Sequence, residues 1–312
     1  NTTLRVLILG NSSIAQKRMI PALEMIPAVD GIEVASRSSS GTTYADYETA
    51  IEASSAELVY VSLANSDHAY WARRALESGK HVIVDKPAVL NAEDAEALAE
   101  LSCERGLCLA EATAYAAHPQ IQKIAQLFAA AQCRPTRINV MFSFPPLPLD
   151  NFRYRRANGG GAIYDLGPYA VSPGRLFFGA EPIDVQCRVL STGGEDEVPT
   201  AFSVMLEYPE GRSLVGNFGF DTAYCNRLSI FGSDLGIDVD RVFTTPENFA
   251  NELRVSAPTG NSIEPIPAHD CFKLFVMDVM TKIESQDLDG LRADLLADAR
   301  AIDSLRAAAE RD

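Results

Sequence analysis

Leu4-Arg5-Val6-Leu7-Ile8-Leu9-Gly10-Asn11-Ser12-Ser13-Ile14-Ala15 is the stretch that decides the fold. An apolar run broken only by Arg5 ends in a glycine, and a stretch with helical periodicity follows. Such a run, bounded by a turn signal, reads as a strand buried on both faces, as in parallel sheets covered by helices. The turn itself approaches the dinucleotide fingerprint Gly-x-Gly-x-x-Gly/Ala: Gly10 and Ala15 match, and Ser12 replaces the middle glycine. Serine is small, and its hydroxyl would suit a phosphate oxygen. The backbone N–H groups of Ser13 and Ile14 at the helix start would suit the same anion. A plain strand-to-helix turn has the same look, and the βαβ setting decides for a dinucleotide.

Outward from this turn, strands are expected at 32–36, 58–63, 81–84 and 107–110, alternating with helices at 14–26, 67–78 and 92–105. Gly79 suits the left-handed position that ends a helix. This alternation predicts an α/β, doubly wound parallel (Rossmann) domain over residues 1–118. After His118-Pro119 the pattern changes. Pro119 suits the first position of a helix over 119–131. Alternating segments at 137–144, 184–190, 201–208, 213–220, 227–231 and 236–242 predict a large, open, mostly antiparallel sheet. Helices are expected at 161–178, 271–283 and 291–309. Residues 119–312 are thus expected to form a C-terminal α+β domain.

Composition narrows the function. The chain has 312 residues, 47% of them apolar, enough for two cores. Its formal charge of −15 argues against nucleic acid and anionic membranes as partners. No apolar run approaches the ~20 residues of a membrane span. The first residues read as a strand, not a signal peptide. The six cysteines are scattered and the four histidines lack ligand spacing. Free thiols of a cytoplasmic protein, and no metal, are the expectation.

At the end of the second strand an NAD site typically carries an acid for the ribose hydroxyls. Here stand Ser36, Arg37 and Ser38, which suit a 2′-phosphate, so NADP(H) is expected over NAD(H). Arg37 alone would equally pass for a surface arginine. Asp85-Lys86-Pro87 follows the fourth strand. Gly159-Gly160-Gly161-Ala162-Ile163-Tyr164-Asp165-Leu166-Gly167-Pro168-Tyr169 opens a helix of the second half. Asp165 and Tyr169, four apart, share a helix face. Pro168 and Pro173 would free the carbonyls of Tyr164 and Tyr169. Lys86 and Tyr169 have ordinary pKa values near 10. Both therefore start as proton donors at neutral pH, as alcohol–ketone chemistry requires. Asp165 would hold the lysine or a substrate hydroxyl. Asn65 or Asp67 would cap the helix after the third strand. Glu111 stands at the carboxyl edge of the sheet, where ligands bind or where a structural hydrogen bond would be made. Arg153-Tyr154-Arg155-Arg156 is a basic cluster in an acidic chain. Arg153 and Arg155, with Tyr115, are the candidates for an anionic substrate, although solvated arginines paired with surface acids give the same pattern.

The order of these motifs resembles the glucose–fructose oxidoreductase / inositol dehydrogenase / MocA family. It comprises Gly10-x-x-x-Ile14-Ala15-x-Lys17-Arg18, Pro21-Ala22-Leu23, Asn65-x-x-His68, Gly79-Lys80-His81-Val82, Asp85-Lys86-Pro87, Glu111-Ala112, His118-Pro119 and the glycine run through Tyr169. The likeness covers residues 4–180 in motifs and the rest in architecture. It implies a catalytic Lys86 with Asp85 and Pro87 on its cofactor side. It implies that Leu63, Asn65 and His68 lie by the cofactor, and that the open sheet serves a homo-oligomer. Asp85 stands where glutamate is commoner. Tyr169 stands where many members have histidine, which resembles the sugar oxidoreductase, dihydrodiol dehydrogenase and nucleotide-sugar ketoreductase branches. The activity implied is an NADP-dependent interconversion of hydroxyl and carbonyl on a sugar or sugar derivative, nucleotide-linked keto-sugars included. The alternatives are an NAD-dependent glycoside hydrolase, which retains its cofactor through turnover, and a non-catalytic cofactor-sensing protein, which has no need of Lys86.

Overall fold

The computed structural model describes residues 2–311. The chain forms two compact units. One runs to Ala114 and takes back Phe272–Ala299. The other comprises Tyr115–Cys271 and the chain from Arg300 on.

In the first unit, β1 (Leu4–Leu9), β2 (Val29–Ala35), β3 (Leu58–Val61), β4 (His81–Val84) and β5 (Leu109–Glu111) form a parallel sheet in the order β2-β1-β3-β4-β5. The order reverses between β1 and β3. In doubly wound sheets the ligand crevice lies outside the strand carboxyl ends at that point. The helix after β1 begins with a π-helical turn, Ala15–Met19, and continues as α1 (Ile20–Glu24). α2 (Tyr47–Ala53), α3 (His68–Glu77) and α4 (Ala92–Arg105) follow. α2 has only seven residues and too short a period to be read. It is set by Asp46, whose carboxylate accepts the Thr49 N–H at 2.7 Å.

The second unit holds α5 (Pro119–Ala130), β6 (Arg137–Ser143), α6 (Ala162–Phe178), β7 (Asp184–Gly193), β8 (Val198–Tyr208), β9 (Arg212–Gly219), β10 (Cys225–Phe231), β11 (Gly236–Asp240), β12 (Asn251–Ala257) and β13 (Gly260–Ile266). Its eight-stranded sheet runs β13-β12-β11-β10-β6-β9-β8-β7, antiparallel except for β6 beside β9. Cys187, Val204, Val140, Leu228 and Val239 point to the buried side. Their neighbours Met205, Val215, Asn217, Arg227 and Asp240 alternate to the other. The hairpin β12–β13 was not expected. β13 is an exposed edge strand carrying Pro265, so it lacks an apolar alternation.

α7 (Cys271–Ser285) and α8 (Asp289–Ala309) close the chain. The contiguous division expected at 118/119 differs here. Leu295 and Ala299 of α8 lie in the same core as Leu7, Val59, Val82 and Leu98, which draws this segment back to the parallel sheet. Ile302 and Leu305, one turn further, join the other core beside Leu166 and Val171.

Candidate active site

The proposed residues fall into two sets, one in each unit. In the first, Gly10 leaves β1 with φ +102°. A Cβ there would stand 2.2 Å from the Ser62 carbonyl oxygen, so only glycine lets the turn pass so close to β3. The Ser12 hydroxyl accepts the Ala15 N–H at 3.1 Å and lies 2.5 Å from Ser62 Oγ. The hydroxyl thus already has two partners within the protein. Ser13 and Ile14 are exposed in the first helical turn, where backbone N–H groups lack intrahelical acceptors.

At the end of β2 the Arg37 guanidinium sits over the Tyr47 ring at 4.6 Å and the Trp71 ring at 5.5 Å. Two aromatic faces hold its charge in place. Ser36 Oγ accepts the N–H groups of Ser38 and Ser39, which shapes the loop.

Asp85 follows β4. Its carboxylate accepts the Tyr60 hydroxyl, and also the Ser62 hydroxyl at 2.5 Å. Burial pushes this carboxyl above the ordinary aspartate value, against those two hydroxyls and the nearby His68 and Lys86, which favour ionisation. Burial, then the Asp85 charge, pushes the Tyr60 hydroxyl well up in turn. The Lys86–Pro87 peptide is cis. His68 is fully buried, with Nδ1 2.7 Å from the Pro87 carbonyl and Nε2 2.9 Å from that of Leu63. Neutral imidazole donates to one of these, and imidazolium to both. Glu111 Oε2 accepts the Ala88 N–H at 2.7 Å. The segment carrying Lys86 is thus held from both sides by polar bonds to its backbone. Asn65 opens a short 3₁₀ turn, and Asp67 stands before α3 without the side-chain cap expected of it.

The second set lies on α6, which runs through Pro168 and Pro173 without interruption. Gly159 and Gly161 have φ of +73° and +102°. A Cβ on Gly160 would lie 2.6 Å from the carbonyl oxygens of Arg153 and Arg155. The glycine run therefore threads beneath the arginine loop. Tyr169 is half-buried among Tyr115, Phe142 and Phe243, with ring centroids 5.9, 5.0 and 4.9 Å away. Ser172 Oγ donates to the Pro168 carbonyl, so it accepts from the Tyr115 hydroxyl at 2.5 Å. Tyr115 is buried behind Tyr169. Arg153 Nε donates to Asp165 Oδ2 at 2.9 Å. Arg156 binds Asp196 through its backbone N–H at 2.8 Å and its guanidinium at 3.0 Å. Arg155 is exposed.

Residues 4–113 match the model of an oxidoreductase family with an NAD-binding Rossmann fold, and 121–238 match the GFO/IDH/MocA C-terminal domain. The chain is 33% identical to a dTDP-3,4-didehydro-2,6-dideoxy-α-D-glucose 3-reductase of Streptomyces violaceoruber, over 86% of this chain and 81% of the relative. The chain belongs to the GFO/IDH/MocA oxidoreductases. A further relative, D-xylose 1-dehydrogenase (NADP⁺) 2 of Haloferax volcanii, is 28% identical over 97% of this chain and 96% of its own. A solved 3-ketoreductase from Actinomadura kijaniata, in complex with NADP and TDP-benzene, superposes with a TM-score of 0.91. It is 28% identical and covers 99% of this chain and 98% of that one.

As a family member, the chain is an NAD(P)-dependent oxidoreductase. Its turn fits the group. Ser13 and Ile14 offer first-turn amides that suit a diphosphate, and the end of β2 offers the Arg37 cation with two serines and no acid. Sequence reasoning missed Tyr47, Tyr60, Ser62, Trp71, Phe142, Ser172 and Phe243. A hydroxyl in the otherwise apolar run Leu58-Val59-Tyr60-Val61 was the one signal available for Tyr60.

Proposed function

We propose that this chain is an NADPH-dependent ketoreductase acting on a sugar carried by a thymidine diphosphate. The observation that carries the cofactor preference is Arg37, fixed over two rings at the end of β2 with serines beside it and no acid. The relatives that bind NADP or reduce dTDP-linked keto-sugars support the same reading. Gly10, Ser13, Ile14, Ser36, Arg37, Ser38, Leu63, Asn65, His68 and Glu111 would hold or shape the cofactor side.

The nicotinamide supplies hydride to the carbonyl carbon when bound. The chain's own residues manage the oxygen. Tyr169 or Lys86 gives its proton to the alkoxide that develops while the other hydrogen-bonds the same oxygen, and Asp165 orients through its bond to Arg153. Arg153 and Arg155 would meet the substrate diphosphate, and Tyr115 keeps the Tyr169 ring in place. We also infer that copies associate through the open sheet face, where Met205 and Val215 are exposed. The free cysteines suit a reducing cytoplasm.

The test is NADPH and NADH oxidation with a TDP-linked 3-keto sugar and with the same free sugar. The expected result is turnover with NADPH and the linked sugar. Arg37→Ala should cost ~10-fold or more in NADPH affinity, the worth of a charged hydrogen bond, and leave NADH affinity nearly unchanged. Equal use of the free sugar, or equal loss for both nucleotides, would overturn the reading.

A further inference from the structure

Four side chains of the first unit form one continuous line of hydrogen bonds: Tyr60 to Asp85, Asp85 to Ser62, Ser62 to Ser12. Tyr60 and Ser62 are nearly inaccessible, at 1% and 2% exposure, so water does not compete for their hydroxyls, while Asp85 and Ser12 are partly buried. The line starts beside Lys86 and ends in the turn between β1 and its helix.

The protons along it can be counted. A carboxylate only accepts, and each hydroxyl has one proton to give. With Asp85 ionised, Tyr60 spends its proton on Oδ1 and Ser62 spends its own on Oδ2. The Ser62 oxygen, 2.5 Å from Ser12 Oγ, has no proton left for that contact and must accept there. The Ser12 proton therefore points inward. Its oxygen meanwhile accepts the Ala15 N–H. Every proton in the line points at Asp85.

We propose that Asp85 is a positioning residue. By polarising Ser62 and Ser12 inward, its carboxylate withholds the Ser12 hydroxyl from the cofactor phosphate and leaves that anion to the backbone N–H groups of the turn. This rests on the reading that the turn holds a dinucleotide. It adds that the residue before Lys86 sets the hydrogen-bonding character of a turn on another strand. An amide in place of the carboxylate reverses the line. With Asp85→Asn, the new Nδ2 donates to Ser62, Ser62 donates to Ser12, and Ser12, still accepting from Ala15, turns its proton outward.

The experiment is calorimetric titration of NADPH into wild type, Ser12→Ala, Asp85→Asn and the double variant. Loss of the helix cap is common to both Ser12→Ala proteins and cancels in the cycle. Asp85→Asn is expected to bind NADPH more tightly than wild type, where mere structural damage would weaken it. Ser12→Ala is expected to cost ~10-fold more affinity in the Asp85→Asn background than in wild type, the worth of a hydroxyl bond to a charged group. Ser62→Ala, which leaves the Ser12 proton no inward acceptor, should give the same sign and decides the matter if Asp85→Asn does not fold. Weaker binding by Asp85→Asn with additive effects of Ser12→Ala, or additivity in the Ser62→Ala cycle, would overturn the proposal while leaving the cofactor reading intact. A wild type that binds neither NADPH nor NADH would remove both.

Discussion

Lys86 and Tyr169 are fixed by opposite means. The segment of Lys86 is held by polar bonds: His68 between the Pro87 and Leu63 carbonyls and Glu111 on the Ala88 N–H grip backbone groups, and the Asp85 side chain takes two hydroxyls. The ring of Tyr169 is held by other rings, with Tyr115, Phe142 and Phe243 around it. A flexible lysine needs its backbone placed, because its stem supplies reach. A tyrosine has two rotatable bonds, and once the ring is wedged the hydroxyl is aimed. Polar grips specify orientation at modest net energy, since each replaces a bond to water. Aromatic packing contributes more through buried area.

That contrast can be broken by substitution. The largest effect is expected from Phe142→Ala, which removes a buried ring that stacks on Phe243 at 5.5 Å. A cost of ~3–5 kcal/mol is expected, read as a large fall in the melting temperature of the second unit. KM for the cofactor should be nearly unmoved.

His68→Leu keeps the volume and removes the polar grip. At least one of the Pro87 and Leu63 carbonyls then loses its donor, at a cost of ~1–3 kcal/mol. Here cofactor affinity should fall together with stability. Loss of stability without loss of affinity would show that the grip is not what shapes the cofactor side.

The smallest effect is a dependence on pH carried by His81. Its Nδ1 accepts the Cys108 N–H at 3.0 Å, and burial lowers its pKa below the ordinary value of 6.5. The unfolded chain therefore binds the proton more readily than the folded one. Stability is full above that ordinary value and is lost as pH falls through it toward the folded value. His81→Asn, which keeps an acceptor for Cys108 without a titrating group, should flatten the melting temperature between pH 8 and 5. An unchanged slope would place the proton elsewhere.

Much of this was legible in the sequence. The parallel sheet announced itself because strands buried on both faces, such as Leu58–Val61, are apolar but for a single hydroxyl. The glycine run before Tyr169 and the Asp85-Lys86-Pro87 step were visible as motifs. What stayed hidden depends on contacts between distant residues. Arg37 could be read, but not the rings that hold it: Tyr47 lies on α2, too short to show a period, and Trp71 on α3 is brought there only by the fold. The Ser12 hydroxyl was read as facing a phosphate. Its contact with Ser62, fifty residues away, could not be read. β13 escaped because an edge strand needs no apolar face, whereas β12 does alternate, with Leu253 and Val255 buried, and was overlooked.

Turnover at saturating NADPH and TDP-linked 3-keto sugar, for wild type, Lys86→Ala, Tyr169→Phe and the double variant, tests most directly whether the two differently held groups serve one oxygen. Each single change should lower kcat by ~10²–10⁴, the usual worth of acid assistance. Groups that act as a unit are non-additive, so the double variant should be little slower than the slower single one. A double variant whose loss is the full product of the two, or a Lys86→Ala protein with near-normal turnover, would contradict the account.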